Sequence, residues 1–162
     1  MMLRRGTRKW LGLLAWIVVA FIPAAMGAFV DTGPWYDSLD RPAWTPPSWV
    51  FGPVWTLLYL LMGIAAWRVW VTHGFVGRRA RFALVLFLVH LVFNGLWTWL
   101  FFGLHLLIAA AVEIVILWVM ILALVVLFWK LDRVAGLLFL PYLLWVTYAV
   151  TLGIGFAVMN TP

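Results

Sequence analysis

Between Trp10 and Val30 the chain runs for 21 residues without a charge. In a hydrocarbon core ~30 Å thick every backbone polar group must be satisfied internally, and about 20 helical residues cross it. Four further apolar runs follow, at about 48–70, 82–102, 106–129 and 134–159. The pattern predicts an all-α protein, an integral membrane bundle of five transmembrane helices forming a single domain over residues 1–162. A signal-peptide reading of the first run, with its basic start and AAMGA end, is set aside because the run is long for an h-region. A hydrophobic fraction of 67% and a charged fraction of 10% agree with the bundle.

The formal charge of +6 suggests nucleic acid until the charges are placed. Arg4, Arg5, Arg8 and Lys9 precede the first run, Arg68, Arg78, Arg79 and Arg81 join the second to the third, and Lys130 and Arg133 join the fourth to the fifth. Only Arg41 lies at the other end, beside Asp31, Asp37 and Asp40. That asymmetry predicts a cytoplasmic N-terminus and an outer C-terminus. The basicity serves topology and contact with membrane lipid, and no nucleic-acid partner is expected. Zero cysteines exclude disulfides and thiolate sites.

The connection after the first run is the unusual part. Trp35–Tyr59, WYDSLDRPAWTPPSWVFGPVWTLLY, is rich in tryptophan and proline. Aromatics argue against disorder and prolines against flexibility, so residues 31–47 read as a rigid aromatic cap over one end of the bundle. An interfacial Trp/Tyr belt is the competing reading. Within the spans, Pro23 predicts a kink, Ala20, Ala24 and Ala28 allow close helix approach, and Ala149, Gly153 and Ala157 form a second small-residue ridge. Pro46 and Pro47 suit the first turn of the second span, with Ser48 as a cap.

Polar groups at depth are few. His90, Asn94, Trp97 and Phe101 fall on one stripe of the third span. Glu113 is expected either to bond within the bundle or to meet a partner protomer, in a structural or a ligand role. No metal site is expected, because His73 and His105 fall at opposite membrane ends; His90 or His105 alone stays open as an axial haem ligand. Trp55, Tyr59, Trp97 and Trp145, with Tyr36 and Trp44 from the loop above, are placed to converge on an apolar cavity. Trp145 would be its floor and Asn94 its polar point. Such walls suit a planar or rigid hydrophobic ligand.

Three stretches carry a resemblance: Trp35–Tyr59, NGLWTWLFF from Asn94 to Phe102, and PYLLWVTYA from Pro141 to Ala149, together with Asn160. In these the chain resembles the TspO/translocator protein family of tryptophan-rich sensory proteins and peripheral benzodiazepine receptors. The resemblance implies a five-helix bundle, often a homodimer, that binds porphyrins such as protoporphyrin IX and haem as ligands rather than as obligatory cofactors. Sterols and benzodiazepine-type compounds are further implied ligands. The family's pocket positions fall on Tyr36, Trp55, Tyr59, Asn94, Trp97, Trp145 and Ala149. Trp55 and Trp145 match residues implicated in light-dependent porphyrin breakdown, which makes them the only catalytic candidates. The expectation is a porphyrin-binding sensor in tetrapyrrole handling; the alternatives are a porphyrin, sterol or lipid transporter and a porphyrin-degrading enzyme. Two positions depart from the family: Gly153 stands where an Asn is usual, and no Lys or Arg follows Tyr148, so sterol binding through that motif is not expected.

Overall fold

A computed structural model describes residues 5–30 and 33–161. Five helical segments are long and apolar enough to cross a membrane: Gly6–Gly27, Ser48–His73, Arg78–Gly103, Leu107–Leu131 and Arg133–Asn160. No strand occurs among the described residues. The protein is thus an all-α, multi-pass integral membrane bundle.

The first span is broken where Pro23 requires it. Helix α1 (Arg5–Ala20) stops, Phe21 forms a turn, and α2 (Ile22–Gly27) restarts with the proline in its first turn. There the missing N–H costs nothing. The next connection is not free of secondary structure, because α3 (Gly33–Ser38) lies within it. Helix α4 (Phe51–His73) then begins later than Pro46 and Pro47 suggest. Pro47 is extended, Ser48–Val50 make a 3₁₀ turn, and the Ser48 side chain caps nothing. Pro53 is the proline in the first turn of α4. Helix α5 (Arg78–Thr98) runs into a π turn at Trp99–Gly103, and His105, at φ 57°, reverses the chain into α6 (Leu107–Leu131). Asp132 then starts α7 (Arg133–Asn160), its side chain accepting the Ala135 N–H at 3.0 Å. Asn, Asp and Ser favour this cap because their oxygens satisfy one of the four orphan donors.

The helices close a ring: α1 packs on α4, α4 on α7, α7 on α6, α6 on α5, and α5 on α2. In lipid such packing relies on close approach rather than on water exclusion. Glycines provide it. A Cβ on Gly63 would lie 2.8 Å from the Ile17 Cα, and one on Gly95 would lie 2.9 Å from the Met26 sulfur. The alanine ridge expected in the first span is only partly used: Ala20 is buried, whereas Ala24 and Ala28 are exposed. The ridge on α7 does face inward, with Gly153 and Ala157 buried.

The basic end of the ring is filled solid. Met62, Leu84, Phe87, Phe128 and Phe139 are fully buried there, the rings of Phe87, Phe128 and Phe139 meeting edge-on or offset at 5.1–6.3 Å. Arg68 holds Asp132 at 2.9 Å, and His73 Nε2 lies 3.2 Å from the Leu131 carbonyl, tying α4 to the α6–α7 turn. Burial works to raise the Asp132 carboxyl, but the Ala135 N–H and the Arg68 guanidinium outweigh it and hold it below the usual range.

Candidate functional site

The opposite half of the ring is hollow, because the second span enters the bundle low. Phe51, in the first turn of α4, meets Trp145 of α7 at 5.8 Å, although Trp145 lies four turns below the end of α7. Around that level α2, α4, α5, α6 and α7 surround a cavity of about 660 Å³, within the 300–1,000 Å³ usual for ligand sites.

The aromatic walls come from three helices. Trp55 and Tyr59, one turn apart on α4, stack at 5.4 Å and 29°. Trp97 of α5 stacks on Phe101 at 5.2 Å, and Trp145 of α7 pairs with Tyr148 at 5.6 Å. Pro23, Ala24 and Gly27 of α2 close one side, and Ile114 and Leu117 of α6 another. Ala149 lines the wall one turn beyond Trp145, where its small side chain leaves room.

The floor is a hydrogen-bonded chain. Tyr59 donates to Asn94 Oδ1 at 2.8 Å, and Asn94 Nδ2 donates to the Tyr142 hydroxyl at 2.8 Å. All three side chains are buried, so each bond is made where an unmet polar group is costly. Trp145 is therefore not the floor expected from its sequence position; it is a wall, level with Phe51. The floor belongs to Tyr59 and Asn94, with Tyr142 buried beneath them as the acceptor of the Asn94 amide. Trp97 contributes a different property: its Nε1–H is buried at the cavity wall with no acceptor among the described residues.

The roof is the loop. Trp35 stacks flat on His105 at 3.8 Å, and Tyr36 is held among Phe101, Phe102 and Phe156 at 5.4–6.3 Å. The Arg41 guanidinium sits 4.6 Å from the centre of the Tyr36 ring and pairs with Asp37 at 2.7 Å. Burial raises the Tyr36 phenol above its ordinary value, against the opposing pull of Arg41, so it keeps its proton at the cavity mouth. The loop is fixed to the bundle by Asn160, which bonds both the Asp40 N–H (2.8 Å) and its carbonyl (2.9 Å). The Tyr148 hydroxyl adds a third tie, to the Trp44 carbonyl at 2.6 Å.

Of the residues singled out from sequence, Tyr36, Trp55, Tyr59, Asn94, Trp97, Trp145 and Ala149 all line this one cavity. Trp44 does not; it lies outside, largely exposed, against Gly155. Trp44 and Trp49 face outward, whereas Trp35 and Tyr36 pack against the end of the bundle. Neither histidine left open as an axial ligand lines the cavity. His90 is sealed among Phe87, Phe139 and Tyr142, its Nδ1–H given to the Phe87 carbonyl, and His105 is occupied under Trp35. Glu113 neither bonds to a neighbour among the described residues nor faces outward to a partner: it is 5% exposed and both carboxyl oxygens are unpaired. No cluster of three or more metal-binding side chains occurs among the described residues. Sequence reasoning missed Phe51 as a lining residue and Tyr142 as the buried partner of Asn94, although Tyr142, Trp145 and Ala149 follow one helical stripe.

Five spans folded round an aromatic cavity of ligand size, beneath a tethered roof, define a multi-pass membrane protein with an internal cavity. The chain belongs to the TspO/MBR family, which it matches over residues 13–159. It is 42% identical to protein CrtK of Rhodobacter capsulatus over 83% of each chain. It is 39% identical to the tryptophan-rich sensory protein of Cereibacter sphaeroides over 93% of this chain and 91% of that one. The human translocator protein is 35% identical over 73% of this chain and 70% of its own.

Proposed function

We propose that this protein is a membrane sensor that binds porphyrins, protoporphyrin IX and haem among them, in the cavity beneath the Trp35–Trp49 loop. The observation that carries the reading is the cavity itself: flat walls from Trp55, Trp97 and Trp145, a volume of about 660 Å³, and only a few polar groups, among them Asn94, Thr98 and the Trp97 Nε1–H. Flat apolar rings gain most from offset or edge contacts with such walls. A large planar ring with polar substituents at its edge fits this distribution, whereas a flexible acyl chain would leave the indole faces poorly covered. The free Trp97 Nε1–H offers a donor to an oxygen on such an edge. Family membership and the name of the Cereibacter relative support the sensory role.

Titrating the purified protein with protoporphyrin IX, read by porphyrin absorbance, tests the reading. Trp55→Ala and Trp145→Ala should each weaken binding roughly two- to tenfold, the loss of one aromatic contact. Trp10→Ala and Trp129→Ala, which lie at the basic end, should not. Four variants that all titrate like the wild type would return the tryptophans to a belt. We propose further, on the charge asymmetry, that residues 78–81 face the cytoplasm; an impermeant label reaching them from outside would reverse that orientation.

A further inference from the structure

Three arginines at the basic end have no counter-charge among the described residues. Arg78, Arg79 and Arg81 stand exposed at the start of α5, and their guanidinium groups make no ion pair or hydrogen bond among the described residues. Among the described acidic residues, Asp37 and Asp40 belong to the opposite end, Glu113 is buried in mid-span, and both oxygens of Asp132 are taken by Arg68 and Ala135. The same arginines line an open groove of about 750 Å³ together with Phe82 and Val85.

The order of residues in that groove is informative. Arg78, Arg81, Phe82 and Val85 follow one another at i, i+3, i+4 and i+7, a single stripe of the helix. The stripe continues through Val89 and Val92, with Phe82, Val85, Val89 and Val92 all exposed. From Phe82 to Val92 it descends about 15 Å, the depth of one leaflet of a ~30 Å core. Cations therefore sit where phosphate groups lie, and an apolar strip runs beneath them where an acyl chain lies. The turn before them leaves the first N–H groups of α5 without a side-chain cap, so the helix dipole adds to the positive field.

We propose that this groove is a binding site for an anionic phospholipid, its headgroup phosphate held by Arg78, Arg79 and Arg81 and one chain laid along Phe82, Val85, Val89 and Val92. Basic pockets on the cytoplasmic side of spans are suited to such headgroups, at ~1 kcal/mol per basic residue near the surface. A second copy of the chain fits this stripe less well. Parallel packing would bring two arginine clusters together, and the strip lacks the small residues that close helix approach needs.

The test is thermal unfolding of the detergent-solubilised protein titrated with phosphatidylglycerol, chain-matched phosphatidylcholine or inorganic phosphate. Phosphatidylglycerol should stabilise the wild type at concentrations where the other two do not. Arg78→Gln, Arg79→Gln and Arg81→Gln should each weaken its apparent affinity roughly fivefold. The control Arg8→Gln/Lys9→Gln/Lys130→Gln, also cationic and at the same end, should keep it. Equal stabilisation by phosphatidylcholine, or by phosphate alone, would overturn the lipid assignment. So would undiminished affinity in the three single variants, an equal loss in the control, or a change from one oligomeric state to another on neutralising the three arginines. Each variant's porphyrin titration separates this outcome from the fate of the cavity reading, since the two sites share no residue.

Discussion

Asn94 is the residue on which the cavity floor turns, and its replacement by Leu is the sharpest perturbation the geometry offers. The exchange keeps the number and branching of side-chain heavy atoms and removes both 2.8 Å bonds at once. It leaves the Tyr59 hydroxyl without its acceptor and the Tyr142 hydroxyl without its donor. Each unmet buried group costs about 1–3 kcal/mol. Interhelical hydrogen bonds in membranes average nearer 0.6 kcal/mol, because partners are also found in the unfolded state. Tyr142 is fully buried and has no escape, whereas the Tyr59 hydroxyl can turn toward the cavity. A loss of about 2 kcal/mol follows for Asn94→Leu. The triple variant Tyr59→Phe/Asn94→Leu/Tyr142→Phe removes every polar member and should be more stable than Asn94→Leu alone. Unfolding in mixed detergent micelles, followed by helical circular dichroism, measures both. A triple variant whose loss equals the summed losses of the three single changes would show that the three groups do not act as a unit, and the floor would not be a hydrogen-bonded chain.

Glu113→Leu replaces two unpaired buried oxygens with apolar atoms and should raise the melting temperature, by a free energy of about 1 kcal/mol or more; a fall would reveal a partner for the carboxyl. Gly153→Ala should also stabilise, by about 0.5–1 kcal/mol, since its Cβ would meet only Ile114 at an ordinary 3.6 Å. Gly63→Ala, whose Cβ would press on the Ile17 backbone at 2.8 Å, should destabilise, and the same melting experiment reads both signs. Asp132 has a depressed folded pKa, so its contribution is fully present above the unfolded value of about 3.9 and is lost as pH falls through the folded value beneath it. Asp132→Asn should therefore flatten the acid limb of a stability–pH profile while keeping an oxygen for the cap, and Asp132→Ala should cost about 1 kcal/mol more.

The spans were legible because the bilayer demands them: runs of about 20 apolar residues leave little choice of structure. The break at Pro23 was legible for a local reason, the missing N–H. Spacing also placed Trp55 with Tyr59 and Asn94 with Trp97, because helical periodicity fixes which residues share a face. What it could not fix was the relative height of two helices. Trp145 read as deep when counted from the end of its own span, yet α4 enters low enough for Phe51 to meet it, and the floor passed to Tyr59 and Asn94. The environment of Glu113 was hidden for the same reason, since a partner on another helix cannot be counted along the chain. Trp44 was misplaced because proline-rich connections follow no period; its ring turned outward while its carbonyl, not its indole, engaged Tyr148.

The structure of the protein with protoporphyrin IX bound tests the central claim most directly. The macrocycle should lie in the cavity with its faces against Trp55 and Trp145, above the Tyr59–Asn94–Tyr142 chain and beneath Tyr36, with no protein atom ligating its centre. A porphyrin found instead on a lipid-facing surface, with Trp55 and Trp145 untouched, would contradict the account.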